Sequence, residues 1–176
     1  MRRLLILPLG LLAGCQTLHF YSQGVAGQAE ILWKSKPNER VLESPGTPDS
    51  LKERILLAEE LCHFASGELA LPGDSAYHRY ADLGRPHVVF VLHAAREFSL
   101  EPKKWNYPIV GELDYRGYFK ESDALSHAEK LRAEGYEVHL GGTDAYSTLG
   151  VFHDPLLNTF IDYPEIDFAE TIFHEL

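Results

Sequence analysis

The chain has 176 residues, 45% of them hydrophobic, enough for one domain with a real core after a short leader is set aside. Its 26 acidic side chains outnumber 16 lysines and arginines, for a formal net charge of −10. No basic cluster interleaves with aromatic residues, so a phosphate backbone would be repelled and nucleic-acid binding is not expected.

The N-terminus reads in three parts. Arg2 and Arg3 form a short positive start, Leu4 to Leu12 an apolar run broken by Pro8 and Gly10, and Leu12-Ala13-Gly14-Cys15 resembles the lipobox of bacterial lipoproteins. The run is about nine residues against the ~20 that span a bilayer, so it predicts a signal peptide over residues 1–14 and not a membrane helix. The arginine pair lacks the rest of a twin-arginine pattern. Cys15 would then carry lipid and tether residues 15–176 to the cell envelope, facing the periplasm or the exterior. Gln16, not being an aspartate, leans towards the outer membrane. The alternative is an ordinary signal peptide that happens to contain a cysteine.

Residues 16–34 are too apolar for a free tether, and predict a first turn or helix of the domain. Residues 35–50 hold three prolines and a glycine and read as a loop. From Leu51, the apolar residues Leu51, Ile55, Leu57, Leu61, Phe64 and Ala65 recur at helical spacing, with Asp49 or Ser50 as a cap and Gly67 at the end. His87 to Leu92 predicts a strand buried on both faces, and Tyr107 to Phe119 a strand bent at Gly111 and Gly117. Ser122 to Glu134 predicts a surface helix with Ala124, Leu125, Ala128 and Leu131 inward and Gly135 just past its end. A short alternating strand, Tyr136 to Leu140, follows. Pro164 to Leu176 predicts a helix whose apolar face is Ile166, Ala169, Ile172 and Phe173. The fold class is α+β, and the chain is expected to stop inside its last helix.

The chemistry-bearing residues are few. Cys62, alone in a helical pattern, reads as a buried structural thiol, with a Cys-dependent active site as the alternative. His174-Glu175 is the first pair of an H-E-x-x-H zinc motif, in which two histidines on one helical face bind the metal and the glutamate accepts a proton from the metal-bound water. The second histidine would fall two places past Leu176, and the pair alone is too short to carry a function. Tyr115, Arg116 and Tyr118 could line a cleft, Arg116 pairing a peptide carboxylate or else bonding loop carbonyls. Residues 144–148, including Tyr146 and Ser147, could pair with an extended substrate or form a plain turn. The histidines at 63, 78, 87, 93, 127, 139 and 153 have no metal-binding spacing, and His153 beside Asp154 is the only weak candidate.

From Gly14 onward the chain resembles the putative aminopeptidase family of bacterial lipoproteins. The matching blocks run in order along the sequence: Gly14-Cys15-Gln16, Tyr21 to Gln28, Leu69 to Tyr77, Tyr80 to Leu83, Glu97 to Pro102 with Trp105, and Tyr115 to Phe119. The most specific is Ala145-Tyr146-Ser147-Thr148-Leu149-Gly150, continued by Asp154 to Thr159, and the last is Ile172-Phe173-His174-Glu175-Leu176. The resemblance implies a zincin-like metallopeptidase domain, incomplete at its C-terminus, acting on peptides with zinc as cofactor. It implies His174 as the first zinc ligand and Glu175 as general base; a second histidine and an acidic third ligand have no counterpart in the sequence, so the chain by itself is expected to be inactive. Many members carry cysteines where Asn106 and Glu112 stand, so any disulfide between them would be absent, and Val151 replaces a common aromatic residue. The alternative is a non-catalytic envelope lipoprotein that keeps the fold for binding or scaffolding.

Overall fold

A computed structural model describes residues 7–107, 111–148 and 152–176, with side chains from residue 18 onward apart from that of Ser75. In chain order the elements are α1 (Leu7–Lys34), β1 (Lys36–Pro37), α2 (Asn38–Glu43), α3 (Asp49–Glu68), a 3₁₀ turn (Gly73–Ser75), β2 (Arg79–Ala81), β3 (Val89–Arg96), β4 (Trp105–Tyr107), β5 (Gly111–Leu113), β6 (Arg116–Tyr118), α4 (Glu121–Ala133), β7 (Tyr136–Thr143), β8 (Leu156–Leu157) and α5 (Glu165–Glu175). The mixture of helices and short, mostly antiparallel strands agrees with the α+β reading. Residues 1–6 of the expected leader, the Cys15 side chain, and the positions 108–110 and 149–151, including Val151, lie outside the described residues.

The segment after Cys15 is helical, as expected, but α1 starts before it and the backbone stays helical across Gly14 and Cys15. No described helix is long and apolar enough to cross a membrane. The predicted loop at 35–50 holds β1 and the single-turn helix α2, because Val41 and Asn38 are buried and pin the chain there. Tyr107 to Phe119 is not one bent strand: β4, β5 and β6 occupy it, and Gly111 sits at φ +79, a left-handed conformation glycine adopts without strain.

The chain forms two compact units, one built from α1 up to Ala29 with Phe90–Gly141, the other from Glu30–Val89 with Gly142–Leu176. In the first, the sheet order is β6-β3-β7, with β3 and β6 antiparallel and Leu92 opposite Arg116, beside the β4-β5 hairpin. Ala124, Ala128 and Leu131 of α4 recur at helical spacing and close a core of Leu92, Ala94, Trp105 and Tyr118. Leu125 is 44% exposed, since a residue next to Ala124 is rotated about 100° from the buried stripe. Gly135, at φ +82, ends α4 as expected. Gln23 of α1 accepts from Phe119 N at 3.0 Å and donates to Gly117 O at 3.4 Å, tying the helix to the end of β6.

The second unit places β1, β2 and β8 in one sheet, β1-β2 antiparallel and β2-β8 parallel. Ile55, Ala58, Cys62 and Ala65 form the buried stripe of α3, which packs against α5. Pro48 and Pro164 occupy the N-cap positions of α3 and α5 without a side-chain capping bond, and acidic residues in each first turn favour the positive helix end. Phe168, Ile172 and Phe160 are fully buried, each contributing about 1.5–3 kcal/mol. The face of α5 is therefore Phe168 and Ile172, whereas Ile166 is 74% exposed: the two-residue offset to Phe168 turns Ile166 to solvent. Cys62 is buried and free, and burial pushes its thiol up to about 11, so it is an inert core residue.

Candidate functional site

In the second unit, α5 forms one wall of an open cleft of about 520 Å³ lined by Thr143, Ala145, Tyr163, Glu170, Thr171, His174 and Glu175. The wall exists because Phe168 and Ile172 point into the core, which turns Glu170, Thr171, His174 and Glu175 outward on successive turns of the same helix.

The opposite wall is fixed by a polar network. Both carboxylate oxygens of Asp144 are occupied, one by His87 Nδ1 and the other by the Tyr163 hydroxyl, which donates to it. The Asp144 carbonyl accepts from Thr159 Oγ1, and Thr143 O accepts from Val88 N at 2.9 Å. Donating to Asp144 holds the Tyr163 hydroxyl protonated, pushing it up to about 12. Gly142 makes this packing possible: a Cβ there would lie 2.2 Å from His87 Cγ. From α3, Arg54 donates to Ile161 O at 2.7 Å and Tyr163 O at 2.5 Å while its guanidinium lies 4.2 Å from the Phe168 ring centroid. The chain entering α5 is thus clamped to α3 by a group that is charged at any accessible pH.

Glu175 is half-buried, and burial, together with the Asp154 charge, raises its carboxyl pKa, while His174 pulls it down. Asp154 is itself held by Thr148, whose N donates at 2.7 Å and whose hydroxyl lies 2.9 Å from the carboxylate. A carboxylate raised in this way is a better proton acceptor from water than an exposed one. A zinc ion would need about three protein donors. Among the described residues, no three His, Cys, Asp or Glu side chains come together to hold a metal, and both Asp144 oxygens are already engaged. The described residues therefore do not by themselves fit a zinc site.

His174 and Glu175 meet in the cleft; the other expected site residues do not. Tyr146 and Ser147 follow Ala145 but do not line it, and residues 144–148 form no strand, β7 ending at Thr143. The Tyr146 hydroxyl is half-buried and raised by burial and by Asp154. Arg116 belongs to the first unit, its guanidinium 3.9 Å from the Phe20 ring centroid, so it bonds neither a cleft ligand nor a loop carbonyl among the described residues. Tyr118 is buried, its hydroxyl 2.6 Å from His127 Nδ1, and it does not line the α5 cleft. His153 lies in a separate shallow cleft with His78 and Glu59.

The sequence does not announce Glu170, Tyr163 or His87 as site residues, and brings in Asp144 only as part of the 144–148 segment. Glu170 had a local signal, four residues before His174 on a helix. The other three are brought together across 19 and 57 residues of chain, which no local pattern announces.

Comparison with known proteins yields a match to the family model described as putative aminopeptidase, over residues 19–176. No curated protein matches the chain, and no solved structure does. The match spans almost the whole described chain and includes both units and the cleft of α5, and the chain belongs to the putative aminopeptidase family.

Proposed function

We propose that the protein is a zinc-dependent peptidase of zincin type, an aminopeptidase, anchored by lipid at Cys15 to a bacterial membrane and facing the periplasm or the exterior. The observation that carries the catalytic part is the cleft in which His174 and Glu175 stand together on a helix buried by Phe168 and Ile172. Family membership supports peptide hydrolysis. His174 serves as one zinc ligand. The metal supplies Lewis-acid polarisation when bound. Glu175 takes the proton of the attacking water, and the raised carboxyl suits it to that role.

The test uses the full-length gene product, with metal content by mass spectrometry and release of aminomethylcoumarin from aminoacyl substrates. About one zinc per chain and a loss of at least ~100-fold in kcat for Glu175→Gln are expected. Failure to bind zinc, with Glu175→Gln as active as the parent, would sink the reading. A non-catalytic envelope lipoprotein is the second reading, and the want of a group of three metal donors among the described residues favours it. The anchor is tested separately, by palmitate labelling that Cys15→Ser abolishes.

A further inference from the structure

The second unit holds a further hollow, of about 620 Å³, between the end of α1, β1, α2, the 44–48 loop and β2. That volume suits a small ligand. Its polar lining consists almost wholly of donors. Lys36, Arg40 and the hydroxyls of Ser44, Thr47 and Tyr80 line it, and none of these side chains makes a hydrogen bond or ion pair with a described residue. Burial first, with Asp82 and Asp162 after it, pushes the Tyr80 phenol up to about 12, so the hydroxyl keeps the proton it can donate. The third cation, Lys34, is engaged by Glu30 at 3.1 Å and by Leu83 O at 2.9 Å. The one carboxylate of the lining, Asp82, accepts from Gly84 N at 2.8 Å. Two unpaired cations against one carboxylate leave the hollow with a positive charge in excess, on a chain whose formal net charge is −10. Val41, Leu51 and the Tyr80 ring form the apolar part of the lining, and Trp33 stands beside them 85% exposed.

We propose that this hollow binds the C-terminal residue of a peptide, its carboxylate held by Arg40 and Lys36 and its side chain laid on the apolar lining. Donors that lack acceptors call for an anion. The excess of one charge matches a carboxylate, whereas a phosphate monoester brings about 1.5–2 negative charges. The guanidinium fork of Arg40 fits a carboxylate through two parallel hydrogen bonds, and the Lys36 ammonium adds a point charge. A carboxylate has about four lone-pair sites, so these two groups nearly fill it. The Ser44, Thr47 and Tyr80 hydroxyls are then in surplus, and they suit the carbonyls of the preceding peptide units, which a simple fatty acid lacks. An exposed indole such as Trp33 offers a rigid apolar face to the bound side chain. The hollow shares no lining residue with the cleft of α5, and the proposal does not depend on the reading of His174 and Glu175.

The experiment is calorimetric binding to the full-length protein in a Glu175→Gln background, where no turnover interferes. The probes are N-acetyl-alanyl-phenylalanine, its C-terminal amide, octanoate and benzyl phosphate. The peptide acid is expected to bind more tightly than the other three, and about 10-fold or more over the amide. Arg40→Ala should weaken it by about 10- to 100-fold and Lys36→Ala by about 3- to 10-fold. Arg40→Lys should recover only part of the loss, because an ammonium lacks the fork. Both residues are exposed, so unchanged melting temperatures are expected in all three variants. The acid should also shift the tryptophan emission, and Trp33→Phe should remove that response. Equal affinity for acid and amide, tighter binding of octanoate or benzyl phosphate, an affinity that Arg40→Ala leaves intact, or no binding at about 10 mM peptide overturns the proposal. Loss of the peptidase reading shows instead as a parent without zinc or hydrolysis, and leaves the carboxylate site standing.

Discussion

The first unit contains a histidine whose burial makes stability depend on pH. His127 of α4 sits with its Nδ1 2.6 Å from the Tyr118 hydroxyl and its ring edge-on to Trp105 at 6.4 Å between centroids. Burial first, and the positive charges of Arg116, Lys130 and Lys103 after it, push its pKa from 6.5 down to about 4. The sign follows from linkage. Above pH 6.5 the imidazole is neutral whether the chain is folded or not, and the native state loses nothing. As pH falls below 6.5 the unfolded chain takes up a proton that the native state refuses, and stability drops until the folded group titrates near 4. At 1.36 kcal/mol per pH unit the ceiling is about 3 kcal/mol, and solvent screening of a ring that is only partly buried reduces this to about 1–2 kcal/mol.

Urea unfolding from pH 7 to 4.5, in a Trp33→Phe background so that only Trp105 reports, measures the effect. Carboxylates titrate over the same range, so the comparison is with His127→Gln, which keeps a partner for the Tyr118 hydroxyl and removes the titration. The parent should lose about 1–2 kcal/mol more than His127→Gln between those limits. Parallel stability curves, or a His127 proton resonance titrating near 6.5, would refute the reasoning.

Two substitutions probe the second unit. Asn38 is 2% exposed and its Nδ2 donates to Tyr77 O and Glu59 Oε1, both at 2.9 Å, so Asn38→Leu should cost about 1–3 kcal/mol by thermal unfolding; no loss would mean the buried acceptors find other donors. Gly142→Ala should cost about 1–3 kcal/mol in urea, since its Cβ would displace the His87 ring, and the cost should largely vanish in a His87→Ala background; an undiminished cost there would place the clash elsewhere.

Periodic segments were legible in the sequence because burial follows the helical repeat. α3 and α4 came out within a residue or two of their ends, and Ala124, Ala128 and Leu131 were assigned to the core from spacing alone. The errors fall where spacing carries no information. Short strands such as β1 and β8 contain two residues each, too few for any pattern, and exist because β2 pairs with both. Ile166 and Phe168 compete for the α5 core, and the choice is made by where the chain enters the helix, which Arg54 sets by holding the carbonyls of Ile161 and Tyr163. Arg116 was read as a candidate ligand for a carboxylate, yet Phe20, almost a hundred residues earlier, offers it an aromatic face. Resemblance brought His174 and Glu175 into view; it could not supply the wall facing them.

That wall bears on which carboxylate is free to act. Asp144 lies between Thr143 and Ala145 of the cleft lining and would be a natural ligand residue by position. Each of its oxygens accepts one hydrogen bond, from His87 and from Tyr163, and the Tyr163 carbonyl is in turn held by Arg54, so the carboxylate is tied into the wall. Glu170 and Glu175 have no such internal claims, and they stand on a helix that cannot roll without exposing Phe168 and Ile172. Their carboxylates face a lining with no lysine or arginine, and burial first, with Asp154 after it, makes Glu175 harder to ionise against the opposing pull of His174. Like charges left uncompensated in a part-buried cleft favour whatever cation enters it, and the clamped wall keeps Asp144 from being that cation's partner. The hydrogen bonds of the wall thus set the carboxylates apart: Asp144 is tied into the cleft wall, and the α5 glutamates make no hydrogen bond or ion pair with any described residue.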